Sequence, residues 1–230
     1  KAGNVYQINM TMYKKYKINI DPLKLYLALR QIAKPHFGYY INTGEQFILS
    51  FSPEQFFNVN NRTITTYPMK GTQKRSNNPI KDLEFKKNLQ NSEKDLAEHL
   101  MIVDLMRNDI GKICKYGSVK VENLFEVQSF PTVHQMVSSI YGELKKDVNY
   151  ADIIQAIFPG GSITGAPKES AMKIIDKLEN YNRGLYTGSI GYIDNQGDMN
   201  FNIAIRTMTM QKNIATYPVG GGIVWDSNPM

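Results

Sequence analysis

Gln55-Phe56-Phe57-Asn58-Val59-Asn60-Asn61-Arg62-Thr63-Ile64-Thr65-Thr66 decides the fold class of this chain. Two short runs rich in aromatic and β-branched residues, 55–59 and 62–66, flank Asn60-Asn61, a dipeptide that tolerates the left-handed backbone of a tight turn. The spacing predicts a hairpin, and a hairpin makes its sheet antiparallel. With the turn centred on Asn60-Asn61, Glu54 lies opposite Tyr67, and Lys70 of Pro68-Met69-Lys70-Gly71-Thr72 follows just beyond. A carboxyl and an amine at one end of a hairpin can act as acid and nucleophile. They can equally form a surface ion pair of little worth.

Outward from the hairpin, a strand is predicted over 4–10 and a helix over 22–33, with Asp21 as N-cap and Pro22 at its first position. Another strand covers 46–51. Between 85 and 113, Leu89, Leu96, Leu100, Val103 and Ile110 recur at helical steps, giving one long helix or two joined by a bend. Shorter helices follow over 149–158 and 167–178. Residues 186–210 and 214–225 read as an antiparallel meander, turning at Asn195-Gln196-Gly197 and Lys212-Asn213. Strand pairs in blocks, separated by helices, predict an α+β fold with antiparallel sheets covered by helices.

The chain has 230 residues and a formal charge of +6, with no apolar run of the roughly 18 residues a bilayer requires. The charge favours anionic partners, but Lys81, Lys86, Lys87 and Lys94 alternate with Asp82, Glu84, Glu93 and Asp95. That alternation reads as a solvated helix face, which argues against nucleic acid and for a small anionic ligand. Cys114 is the only cysteine, so no internal disulfide forms and a reducing cytoplasm is expected. It reads as a small buried hydrophobe. The start at Lys1, close to a strand, is read as a missing natural beginning.

Several segments can carry chemistry. Gly160-Gly161-Ser162-Ile163-Thr164-Gly165-Ala166-Pro167-Lys168 runs into a helix, with Pro167 at its first position and Thr164 or Gly165 as cap. It is either an anion site at a helix N-terminus or an ordinary glycine-rich connection. It is not a phosphate-binding P-loop, because Ala166-Pro167 stands where a lysine and a hydroxyl are needed. In the meander, Arg206 falls on the polar face of an alternating strand, roughly opposite Pro218 and close to Gly220-Gly221-Gly222. An arginine beside bare backbone suits a carboxylate, and a cross-strand ion pair is the alternative. Glu98 is a magnesium ligand or a solvated carboxylate. His134 orients a ligand or is a hydrogen-bonded structural histidine.

Taken in order, these segments resemble the chorismate-utilising enzymes, which include anthranilate synthase component I and the aminodeoxychorismate, isochorismate and salicylate synthases. The matching stretches are 5–9 (VYQIN), 52–54 (SPE), 68–72 (PMKGT), 98–108 (EHLMIVDLMRN), 130–135 (FPTVHQ), 159–168 (PGGSITGAPK), 188–193 (GSIGYI), 202–207 (NIAIRT) and 220–227 (GGGIVWDS). They span almost the whole chain, so 1–230 is expected to be one chorismate-binding catalytic domain, incomplete at both ends.

The resemblance implies a layered α/β sandwich binding Mg²⁺ and chorismate, with Glu98 as a magnesium ligand. It implies that Arg206 and Tyr192 hold substrate carboxylate and that the backbone of Gly220, Gly221 and Gly222 lines the site. Gly71, Thr72, Thr164 and Gly165 would also touch substrate, and His134 would flank the ring. Lys70, where anthranilate synthases and isomerising members carry a small residue, resembles the aminodeoxychorismate branch. There the lysine attacks C2 while Glu54 protonates the departing hydroxyl. Gln7, where water-using members carry a general-base lysine, resembles the ammonia-using ones. The implied reaction is an amino-group transfer to chorismate, using ammonia from a glutamine amidotransferase, in a cytoplasmic enzyme of folate synthesis. Anthranilate formation is the alternative. A further one is a chorismate-binding piece without turnover, because the family continues beyond Met230 with glutamates that complete the metal site.

Overall fold

The elements follow from local chemistry that the computed structural model makes explicit for residues 3–228. The expectations placed on Lys1 and Met230 lie outside the described residues. In chain order the first elements are β1 (Gln7–Lys17), α1 (Pro22–Ala33), β2 (Phe37–Asn42), β3 (Phe47–Ser52) and β4 (Gln55–Asn60). Next come β5 (Thr63–Thr66), β6 (Met69–Lys74), α2 (Pro79–Gln90), α3 (Glu93–Gly111), β7 (Lys120–Ser129), β8 (Val133–Glu143) and α4 (Tyr150–Ile157). The chain ends with α5 (Gly161–Thr164), β9 (Gly165–Ala166), α6 (Lys168–Leu178), β10 (Gly191–Ile193), β11 (Met199–Asn202), β12 (Thr207–Gln211) and β13 (Ile214–Val224). They form two compact units, the first comprising Lys1–Phe56 and Ile163–Met230 and the second Phe57–Ser162.

Unit 1 is built on a six-stranded sheet in the order β2-β3-β12-β13-β1-β9, antiparallel at each junction. Helix α1 begins where predicted: the Asp21 carboxylate accepts from the Lys24 amide at 2.9 Å, and Pro22 needs no donor partner there. It buries Tyr26 against Leu49, Phe51, Met210 and Ala215, with the Tyr26 and Phe51 rings stacked at 5.3 Å. β1 starts at Gln7 and runs to Lys17, later and longer than the strand expected over 4–10.

Unit 2 pairs β4, β5, β8 and β6 in that order, with β7 along β8 as well. The hairpin exists, but its register is moved by two residues. Asn58 pairs with Thr65 and Asn60 with Thr63, so the loop is Asn61-Arg62, both at positive φ (45° and 63°). That is the backbone a two-residue hairpin turn demands. An even shift keeps every side chain on its expected face. The ladder ends at Asn58–Thr65, so the expected opposition of Glu54 and Tyr67 lies outside it.

The helical stretch is two helices. Ser92 interrupts it, its hydroxyl accepting from the Asp95 amide at 3.3 Å as the N-cap of α3. β7 and β8, which the periodicity does not reveal, carry the sheet. Met136 on β8 packs with Leu89 of α2 and Val127 of β7. Cys114 is buried, and burial pushes its thiol up to about 11, the behaviour expected of a packing residue.

Candidate active site

The candidate residues divide between the units. In unit 1, the start of β1 lies between two neighbours, Gln7 opposite Val224 on one side and Ala166 on the other. Gln7 is 1% exposed, and neither its amide oxygen nor its amide nitrogen has a hydrogen-bond partner. A buried amide left so loses about 1–3 kcal/mol relative to one that is paired. Its nitrogen lies 2.9 Å from where a Cβ on Gly222 would sit, so the bare backbone of that strand makes room for the carboxamide. Gly165 has φ of 143°, and a Cβ there would stand 2.2 Å from the Gln7 carbonyl oxygen. Thr164 is buried beside it. Pro167 is the N-cap of α6, one position earlier than expected, and makes no side-chain cap; Thr164 and Gly165 belong to the preceding elements.

Glu54 is buried, and its backbone is fastened at both ends. Its amide donates to the Ser52 hydroxyl at 3.2 Å, and its carbonyl accepts from the Ile203 amide at 3.0 Å. Arg206 is not on a strand. β11 stops at Asn202, whose side chain accepts from the Ile190 amide at 2.9 Å, and the chain then crosses to β12. Arg206 sits in that crossing with φ of 48°, exposed, its carbonyl accepting from Phe51 at 3.0 Å. The β12–β13 ladder runs from Gln211–Ile214 to Thr209–Thr216, so Arg206 lies before it and pairs with no residue of β13 in that ladder. Tyr192 is 55% exposed on β10, and Gly220, Gly221 and Gly222 are exposed on β13.

In unit 2, Lys70 is half-buried on β6, its amine donating to the Ser162 carbonyl at 3.3 Å. Close by on α3 is His99, fully buried, which the sequence did not single out. Its Nε2 meets the Ser138 hydroxyl at 2.7 Å, and its Nδ1 has no partner. Burial first, and the charge of Lys70 second, lower its pKa to about 4, so the ring is neutral at pH 7. Gly71 follows in a bulge at φ of 75°, and Thr72 is exposed. Lys70 pairs with Met136 and Thr72 with Gln135, consecutive residues of β8, so the bulge sends Lys70 and Thr72 to opposite faces. Glu98 is partly buried, 4.0 Å from Lys94.

Of its two readings, His134 takes the hydrogen-bonded structural one, while Asp82 differs from expectation. His134 is 1% exposed, Nδ1 2.9 Å from the Ser129 hydroxyl and Nε2 3.1 Å from an Asp82 oxygen, so the ring implied to flank a substrate spends both nitrogens inside the unit. Asp82 is no solvated helix charge: Arg75 grips both its oxygens, at 2.9 and 2.8 Å.

The family model described as chorismate binding enzyme matches residues 1–230, and the chain belongs to that family. It is 42% identical over 229 residues to "Anthranilate synthase component 1" of Saccharolobus solfataricus, covering 100% of this chain and 54% of that protein. It is 45% identical to "Aminodeoxychorismate synthase component 1" of Escherichia coli, covering 98% and 50%. The crystal structure of anthranilate synthase component I from Streptococcus pneumoniae shares the fold, with a TM-score of 0.91 at 35% identity over 98% of this chain and 50% of that one. The expected α+β class with antiparallel sheets is therefore correct. The chain spans about half the length of these relatives.

Proposed function

We propose that this chain carries the chemistry of an aminodeoxychorismate synthase component I, in which ammonia replaces the 4-hydroxyl of chorismate to give 4-amino-4-deoxychorismate for folate synthesis. The observation that supports this reading best is the setting of Lys70, whose amine rests on the Ser162 carbonyl and beside a neutral, buried His99 instead of standing in water. Lys70, after giving its ammonium proton to solvent, bonds as the free amine to C2 of the ring, the ring double bonds shift, and the C4–O bond breaks. Glu54 gives its proton to the departing hydroxyl, which leaves as water. Ammonia then bonds to C4 and its surplus proton returns to the Glu54 carboxylate, while the double bonds shift back and the lysine nitrogen leaves C2 as the free amine. One hard displacement thereby becomes two easier ones.

Arg206 and Tyr192 take the substrate carboxylate, the backbone of Gly220 to Gly222 lines the ring, and Gly71, Thr72, Thr164 and Gly165 are further contacts. Gln7, with its unpartnered buried carboxamide, suits a neutral nucleophile where a lysine base would serve water. The ammonia comes from a glutamine amidotransferase, a reading supported by relatives named "component 1". A cytoplasmic setting fits the lone, buried Cys114. No helix among the described residues is long and apolar enough to cross a membrane.

Magnesium, implied by the resemblance, would take Glu98 as a ligand. A hexacoordinate ion asks for more oxygens than one carboxylate supplies. Among the described residues no three His, Cys, Asp or Glu gather to hold it. The donor set of the described residues does not fit a complete site, and no step above runs through the metal.

The test is Lys70→Ala in the intact protein with chorismate and ammonium: 4-amination should be lost, and unchanged turnover refutes the nucleophile role. The relative named anthranilate synthase supports a second reading, amination at C2 with loss of pyruvate. Anthranilate fluorescence in the same incubation would select it.

A further inference from the structure

We propose that Arg75, Asp82 and His134 form a register lock that maintains the bulge beside Lys70, which makes His134 a positioning residue and not a contact of the substrate ring. The proposal rests on the role given to Lys70 above. β6 enters its ladder with β8 in one register, Met69 opposite Val137 and Lys70 opposite Met136. It leaves one residue out of step, Thr72 opposite Gln135, Gln73 opposite His134 and Lys74 opposite Val133. The surplus residue is Gly71, whose absent Cβ would stand 2.9 Å from a Leu89 methyl and 3.1 Å from the Asp95 Cβ. Side chains cannot hold this arrangement by burial, because no residue from Met69 to Lys74 is fully buried. A strand specified so weakly slides, and a slip of one residue turns each side chain to the other face.

The fastening lies immediately downstream. The Arg75 amide donates to the Thr132 carbonyl at 3.4 Å, and its Nη1 donates to the Phe130 carbonyl at 2.8 Å. Its Nε and Nη2 reach the two oxygens of Asp82, and the Ser76 amide reaches the same carboxylate at 2.8 Å. His134, the direct partner of Gln73, closes the ring of contacts at 3.1 Å from Asp82 and 2.9 Å from Ser129. The outgoing end of β6, the start of α2 and the β7–β8 turn are thus tied to one carboxylate. The Arg75 guanidinium and then the Ser76 amide hold that carboxyl well below the usual range. With the tie cut, the strand can anneal into a continuous ladder, Gly71 opposite Gln135 and Thr72 opposite His134. The bend next to Lys70 then disappears. A misplacement of about 1 Å in a reacting group is enough for a loss of order 100-fold in rate.

Amide exchange read by mass spectrometry, paired with steady-state kinetics of the intact protein, tests this. Asp82→Asn and His134→Ala should speed exchange over residues 72–75 at least tenfold while leaving β12 and β13 within twofold. Both should lower kcat for amination at least tenfold with KM moved less than threefold. His134→Gln keeps a donor for Asp82 and should restore exchange and kcat together. Unchanged exchange over 72–75 in Asp82→Asn overturns the lock, and faster exchange at unchanged kcat overturns the positioning role. If Lys70→Ala retains turnover, the role of the amine fails separately, and the exchange result still decides the lock.

Discussion

Replacing Gly165 by alanine tests how the start of β1 is held. Gly165 has φ of 143°, a region closed to side chains, and the new Cβ would lie 2.2 Å from the Gln7 carbonyl oxygen and 3.0 Å from the Ala171 Cβ. Carbon and oxygen normally approach to roughly 3.3 Å, so the overlap is about 1 Å against backbone, which cannot rotate aside. β1 must retreat from β9, loosening the Gln7–Ala166 and Ile8–Gly165 pairs and the 2.8 Å bond from the Tyr6 amide to the Ala166 carbonyl. Two such bonds are worth about 2 kcal/mol and the backbone strain about 1–3 more, for a total near 3–5 kcal/mol. With a urea slope of about 2 kcal/mol/M, the midpoint should fall by roughly 2 M. Gly221→Ala is the matched control: its Cβ meets nothing within 4 Å and its φ is not positive, so stability should move by less than about 0.5 kcal/mol. The same variant should raise the KM for chorismate if that backbone faces substrate. A Gly165→Ala loss below about 1 kcal/mol would refute the reasoning.

Glu179 accepts from the Thr11 amide and hydroxyl, both at 2.8 Å, and from Arg183 at 2.7 Å on each oxygen. Burial raises its pKa, but the bonds from Arg183 and Thr11 outweigh burial, and the net shift is downward. Its contribution is therefore complete above the unfolded carboxyl's value and lost as pH falls through the folded one. Thermal melts should show parent stability dropping on acidification below about pH 4.5 more steeply than in Glu179→Gln, which should itself lose about 3–5 kcal/mol at pH 7. Ser138→Ala removes the partner of both His99 and the Phe125 amide, and denaturant titration should register a loss of about 1–3 kcal/mol. Calorimetry of the 230-residue chain with magnesium chloride should show no binding tighter than about 1 mM, since Glu98 supplies one carboxylate where several oxygens are needed.

What the sequence reveals of the fold follows from how locally each element is specified. α1 is legible to the residue because Asp21 and Pro22 act within one turn. The break before α3 is invisible to periodicity, since the leucine spacing continues through it and only the Ser92 cap marks it. β8 is hidden for a different reason. Its buried positions include His134, Ser138 and Gly142, residues a hydrophobic pattern scores as loop. Each is explained only by a distant partner: Asp82 for His134, His99 for Ser138, and for Gly142 the Cys114 sulfur, 2.7 Å from where a Cβ would sit.

The site shows the same division, and Arg206 shows why. Alternation over 200–206 reads as one strand because two unrelated demands coincide. Met199 and Asn202 are buried at the end of the β10–β11 hairpin, and Ile203 and Ala204 are buried in the crossing that follows. Bonds from Ile203 to Glu54 and from Ala204 to Gly188 hold that crossing, and none of them is encoded in the spacing of apolar residues. The candidate residues were legible as types, an amine, a carboxyl, a guanidinium and bare backbone, because each lies in a recognisable motif. Their directions were not, because a bulge at Gly71 and a left-handed turn at Arg206 depend on contacts made far away in sequence. The spacing of a motif therefore leaves backbone direction open, and contacts far away in sequence, such as Leu89 and Asp95 against Gly71, set it.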